Sequence, residues 1–96
     1  MRRAANVDRN QSEVVKLLRQ CGASVQILSA VGQGVPDLLV GWRDQNFLLE
    51  LKDGAQPPSK RVLTADERDW HAKWNGQVDT VDSFDAAWEA ILRGKR

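Results

Sequence analysis

Asp37, Glu50 and Lys52 are the residues of this 96-residue chain whose types and spacing can do chemistry. Asp37 follows Val35-Pro36 and opens the apolar run of residues 38–40. Glu50 and Lys52 sit two apart in Leu49-Glu50-Leu51-Lys52, at the end of the next apolar run. On a β-strand, residues i and i+2 point to one face. Glu50 and Lys52 therefore project together, toward the strand that Asp37 opens. Phe47, Leu48, Leu49 and Leu51 surround the pair, and runs this apolar read as strands covered on both faces. Buried acids and lysines are rare unless paired or coordinating, and two carboxylates with an ammonium on an apolar sheet are costly unless they bind something. Oxygen ligands of this kind suit Mg²⁺ or Mn²⁺. A lysine beside such an ion can orient a water and offset charge developing on a phosphate. The pattern suggests metal-dependent hydrolysis of a phosphodiester; a purely structural Glu–Lys pair is the alternative.

The elements that must position these residues follow from periodicity. Residues 1–9 are polar and basic and read as a loose tail. A helix is expected from about residues 10–12 to Gln20, with Asn10 and Glu13 as a capping box. Val14, Leu17, Leu18 and Cys21 form its apolar face, and Gly22 its stop. A strand over residues 25–30 leads through Gly32-Gln33-Gly34 into a hairpin, with strands over 37–42 and 47–52 and a turn over 43–46. Residues 53–61 read as an exposed loop. Thr64 caps a helix running to about Asn75, residues 77–81 form a fourth strand, and Asp82 or Ser83 caps a last helix ending near Leu92. The order αβββαβα predicts an α/β domain over residues 1–96: a central four-stranded mixed sheet flanked by helices.

Composition narrows the class. An apolar fraction of 42% is ordinary for one globular domain. Net charge is only +1, but the first 36 residues carry five Lys/Arg against two Asp/Glu. That end, with Lys60 and Arg61, is the expected contact for an anion. The single cysteine, Cys21, cannot form an intramolecular disulfide, which agrees with a reducing cytoplasm; a buried thiol is expected there. No apolar run approaches the roughly 20 residues of a membrane span, and Met1-Arg2-Arg3 leads into a polar stretch rather than a signal sequence.

The succession of a Glu-bearing helix, Pro-Asp, hairpin, Glu-x-Lys and helix resembles the PD-(D/E)XK nucleases. Gly32-Gln33-Gly34-Val35-Pro36-Asp37-Leu38, then Leu49-Glu50-Leu51-Lys52 and a helix opened by Leu63-Thr64, are similar to the VRR-NUC (virus-type replication-repair nuclease) branch. Trp70-His71, Trp74 and Gly76-Gln77-Val78 resemble small stand-alone members carried by phages. The resemblance spans residues 13–91. It implies Asp37 and Glu50 as ligands of Mg²⁺ or Mn²⁺, the Leu51 backbone carbonyl as a third, and Lys52 positioning the attacking water. Glu13 matches an acid that many relatives carry on the first helix, where it extends the metal or water site; an N3 cap for Asn10 is its bland alternative. Where relatives often carry Gln, this chain has Glu67, in a stripe with Leu63, Trp70 and Trp74 facing the sheet. Glu67 has either a part in catalysis or a capping box with Thr64.

The remaining expectations concern DNA. Arg2, Arg3, Arg9, Lys60 and Arg61 would hold the phosphate backbone without sequence preference. Arg43, at the hairpin tip beside Trp42, would reach a phosphate, and Gln33 lies in a loop that can approach the backbone. Trp42 is the candidate for a partner contact, whereas Trp70, Trp74 and Trp88 are expected in the core; His71 reads as structural. The resemblance implies 5′-phosphate and 3′-hydroxyl products, and small relatives that act as two-fold homodimers on branched DNA. The expected activity is a structure-selective DNA endonuclease, specifically a Holliday junction resolvase of a phage or bacterial cytoplasm. A nuclease of flaps, nicks or duplex, or a catalytically silent DNA-binding domain of the same fold, are the alternatives.

Overall fold

A computed structural model describes residues 2–94, with side chains from Asn10 to Gly94. In chain order it comprises α1 (Arg2–Gln20), β1 (Ser24–Ile27), a 3-10 turn over Ser29–Val31, β2 (Leu38–Trp42), β3 (Gln45–Leu51), a second 3-10 turn over Pro58–Lys60, α2 (Ala65–Lys73), β4 (Asp79–Val81) and α3 (Phe84–Arg93). The four strands form one sheet in the order β1-β2-β3-β4. The first two pairings are antiparallel and β3–β4 is parallel, joined by the α2 crossover. This is the expected mixed sheet in the expected order.

Residues of alternating parity fill one face. Leu38 and Val40 of β2, with Phe47, Leu49 and Leu51 of β3, are buried against Val14, Val15 and Leu18 of α1 and Ala87, Ala90 and Ile91 of α3. Burying a Leu- or Ile-sized side chain contributes about 1.5–3 kcal/mol, so this layer carries most of the stability. The opposite face was expected to be covered as fully, and it is not: Leu39 and Leu48 are only half-buried. It is there that Asp37, Glu50 and Lys52 project.

Several expected boundaries move for identifiable reasons. The helix taken to begin near Asn10 starts at Arg2 instead. No Gly or Pro interrupts residues 1–20, so nothing local stops it. Asn10 and Glu13 consequently lie inside the helix and form no capping box. At its other end, Gly22 (φ 96) adopts the left-handed conformation, with Ala23 N–H bonded to Leu18 O and Gly22 N–H to Arg19 O. That is a Schellman stop, and it leaves Cys21 exposed rather than in the core. The hairpin turn is tighter than expected: Arg43 (φ 51) and Asp44 (φ 66) alone make it, as in a two-residue I′ loop.

The tryptophans exchange roles. Trp42 packs edge-on against Trp88, with ring centroids 5.0 Å apart, at the fringe of the core. Trp70 and Trp74 stack on each other at 4.6 Å, and Trp74 is exposed, because α2 buries none of its residues.

Candidate metal centre

Strand register brings the three residues together. Leu38 pairs with Leu49 across the hairpin, so the next pair outward is Asp37 with Glu50, on the face away from the packed core. Lys52 follows two residues beyond Glu50 on the same face. Its backbone N–H donates to Val81 O at 2.8 Å, which carries the β3–β4 ladder one residue past the strand.

Asp37 is anchored through its backbone and its side chain. Its carbonyl accepts from Leu28 N–H at 2.7 Å. Its Oδ2 accepts from Leu51 N–H at 2.8 Å, and Ser29 Oγ lies 3.4 Å from its Oδ1. Since the N–H and C=O of one strand residue point the same way, the Leu51 carbonyl leaves β3 on the side of Asp37.

Glu50 is 2% exposed, and its Oε1 has no hydrogen-bond partner. Burial pushes its pKa up to about 9, helped by the nearby Asp37 and Glu67 carboxylates. A buried carboxyl with an unused oxygen between two other acids is unfavourable unless a cation completes it. Lys52 Nζ is 2.6 Å from Glu67 Oε1 and 3.8 Å from Glu50 Oε2, so Glu67 is its closer counter-ion. Burial raises the pKa of Glu67, but hydrogen bonds from Lys52 and from Thr64 N–H outweigh it and hold the carboxyl below its usual value.

Glu67 reaches this position because α2 starts at a complete capping box. Thr64 Oγ1 accepts from Glu67 N–H, and Glu67 Oε1 accepts from Thr64 N–H. The Gly32–Gly34 loop then sets α2 over the sheet. Gly34 (φ 84) has no room for a side chain: a Cβ there would stand 2.2 Å from Asp66 O. The two sequence readings of Glu67, cap and site residue, describe the same side chain.

The donor set fits a hard divalent ion. Among the described residues, no three His, Cys, Asp or Glu side chains form a ready ligand shell. The oxygen donors that could hold such an ion are the Asp37 and Glu50 carboxylates and the Leu51 carbonyl. Mg²⁺ is bound in this way, through one or two carboxylates with several waters retained.

The other expected site residues lie elsewhere. Glu13 is exposed and lines a groove with Asp53 and Asp82, and no contact ties it to Asp37 or Glu50. The helix turns it aside because Val14 and Leu18 fix which face is buried. Arg61 pairs with Asp82 at 3.0 Å, and the Arg43 guanidinium lies over the Trp42 ring at 5.1 Å. Lys60 is exposed on the second 3-10 turn, and Gln33 (φ 59) is exposed in the glycine loop. The side chains of Arg2, Arg3 and Arg9 fall outside the described residues. His71 lies edge-on to Trp70 at 6.0 Å, with its Nε2 buried and unpartnered.

Three residues near the site were missed. Asn10 Nδ2 donates to Lys52 O at 3.3 Å, and Gln11 and Ser29 meet at 2.8 Å beside Asp37. Asn10 carried a usable signal, being one turn before Val14 and two before Leu18 on the inward stripe.

The architecture is similar to that of a solved structure described as a VRR_NUC domain. The TM-score is 0.64 at 26% identity, covering 92% of this chain and 96% of the other. No protein-family model and no curated protein matches the chain. The resemblance read from residues 32–38 and 49–52 thus extends to the whole fold.

Proposed function

We propose that this VRR-NUC domain is a divalent-metal-dependent, structure-selective DNA endonuclease, most specifically a Holliday junction resolvase that works as a homodimer in the cytoplasm of a bacterial or phage-infected cell. The observation that carries the reading is the buried, half-unsatisfied Glu50 facing Asp37, with Lys52 beside it. Asp37, Glu50 and the Leu51 carbonyl would hold Mg²⁺ or Mn²⁺. The bound ion would polarise the scissile phosphate and lower the pKa of a water. Lys52 holds a positive charge at the rim of the site, where it can orient that water and offset charge building on the phosphate. Glu67 fixes the Lys52 side chain through the 2.6 Å contact. Glu13, exposed beside Asp53 and Asp82, is not among the ligands of this reading.

Structure selection is favoured over base reading because, among the described residues, no helix or ribbon presents a set of side chains for a major groove. The test is cleavage of a labelled four-way junction beside a linear duplex of the same sequence, with oligomeric state measured alongside. Paired symmetric nicks confined to the junction, made by a dimer, support a resolvase. Equal cutting of both DNAs by a monomer would replace it with a general duplex or flap nuclease. Binding without cutting in either metal would make the chain a silent DNA-binding domain.

A further inference from the structure

Asp37 is held from two sides. The strand's own amide, Leu51 N–H, donates to Oδ2 at 2.8 Å. At Oδ1 the neighbour is Ser29 Oγ, 3.4 Å away, and the same hydroxyl donates to Gln11 Oε1 at 2.8 Å. Ser29 opens the first 3-10 turn and Gln11 is on α1, two elements outside the strands that position Asp37 and Glu50.

A hydroxyl carries one proton and a carboxylate only accepts. Ser29 therefore cannot donate to Gln11 and Asp37 together, and a contact at Oδ1 is favourable only if Ser29 donates there. Gln11 permits this when its amide nitrogen faces Ser29, since the two ends of an amide exchange by a half-turn. With Oε1 and Nε2 exchanged in this way, the chain would run in one direction: Gln11 Nε2–H to Ser29 Oγ, and Ser29 Oγ–H to Asp37 Oδ1. Val14 and Leu18 set the rotation of α1, Asn10 donates to Lys52 O at 3.3 Å, and the next residue falls against Ser29.

We propose that Gln11 and Ser29 are positioning residues for Asp37, a helix amide and a turn hydroxyl that aim its carboxylate at the ion shared with Glu50. This rests on the nuclease reading, in which Asp37 is a ligand, and adds to it a hydrogen-bonded support reaching back to α1. Without that support, Asp37 keeps only the Leu51 contact and is free to swing its second oxygen away from Glu50.

The test is Mn²⁺ binding by calorimetry on the full chain, with single-turnover DNA cleavage in parallel. The variants are Ser29→Ala, Ser29→Thr, Gln11→Ala, Ser29→Ala with Gln11→Ala, and Asp37→Asn. Loss of a hydrogen bond to a ligand typically costs 10–100-fold in affinity or activity, so Ser29→Ala should raise the Mn²⁺ Kd roughly 10-fold. Ser29→Thr keeps the hydroxyl at an exposed position and should return the Kd to within about twofold of wild type, while the double variant should lose no more than Ser29→Ala alone, as expected for links of one chain. The cleavage rate should fall with the KM for DNA unchanged. If Ser29→Ala binds Mn²⁺ like wild type while Asp37→Asn has lost it, or if Ser29→Thr behaves like Ser29→Ala, the proposal is wrong and the nuclease reading stands. If Asp37→Asn itself binds like wild type, the ligand role of Asp37 fails and the proposal falls with it.

Discussion

Replacing Glu50 by Gln tests the electrostatics of the site without touching its shape. Burial raises the Glu50 pKa from 4.5 to about 9. The metal-free folded chain then holds a proton that the unfolded chain releases above about pH 4.5, so stability falls as pH rises from about 4.5 to about 9. At about 1.36 kcal/mol per unit, the loss is of the order of 3 kcal/mol at pH 7 and 6 kcal/mol by pH 9. Glu50→Gln has no proton to hold and escapes that loss. Urea unfolding in EDTA should find wild type and variant alike near pH 4, with the variant more stable by about 3 kcal/mol at pH 7 and by more at pH 9. Against a total stability of about 5–15 kcal/mol the difference is easily read. A divalent ion should narrow or reverse the order, since an ion at about 100 times its Kd stabilises wild type by about 2.7 kcal/mol and the variant lacks a ligand for it. Superimposed unfolding curves at all three pH values would refute the reasoning, because Glu50 would then titrate as an ordinary exposed acid.

Three further perturbations probe the same geometry. Glu67→Gln removes one of the acids that raise the Glu50 pKa, so the pH at which Mn²⁺ affinity reaches half its maximum should move down, as a pH series of binding isotherms would show. Gly34→Ala sets a Cβ against Asp66 O at a residue with φ 84; it should cost more than about 1 kcal/mol in urea unfolding and lower cleavage by displacing Glu67. Asp37→Asn should weaken Mn²⁺ binding at least 10-fold by calorimetry (about 1.4 kcal/mol), and unchanged affinity would remove it from the ligand set.

What was legible in the sequence was whatever depends on strand parity and short-range capping. The i, i+2 spacing of Glu50 and Lys52, the Pro-Asp opening of β2 and the Thr64–Glu67 box are local patterns, and each appears where it was expected. What was not legible depends on how far a helix runs and how it is rotated. Nothing within residues 1–20 marks where α1 starts, and an Asn10 capping box looks the same on paper as an Asn10 that crosses to Lys52. Starting the helix near Asn10 placed Glu13 in its first turn, open to either a part in the site or an N3 cap for Asn10. In the longer helix, Val14 and Leu18 turn Glu13 toward Asp53 and Asp82 instead. The neighbours of the basic residues were not legible for a similar reason. Arg43 and Arg61 are held by Trp42 and Asp82, neighbours that only the folded chain supplies.

The most direct measurement is nicking of a labelled four-way junction by wild type and Lys52→Ala in Mg²⁺, Mn²⁺ or EDTA, with DNA binding followed on the same samples. The expected result is cutting by wild type in metal only, and none by Lys52→Ala although it binds the junction nearly as well. Cutting by Lys52→Ala at the wild-type rate, or cutting that survives EDTA, would contradict a metal centre built on Asp37, Glu50 and Lys52.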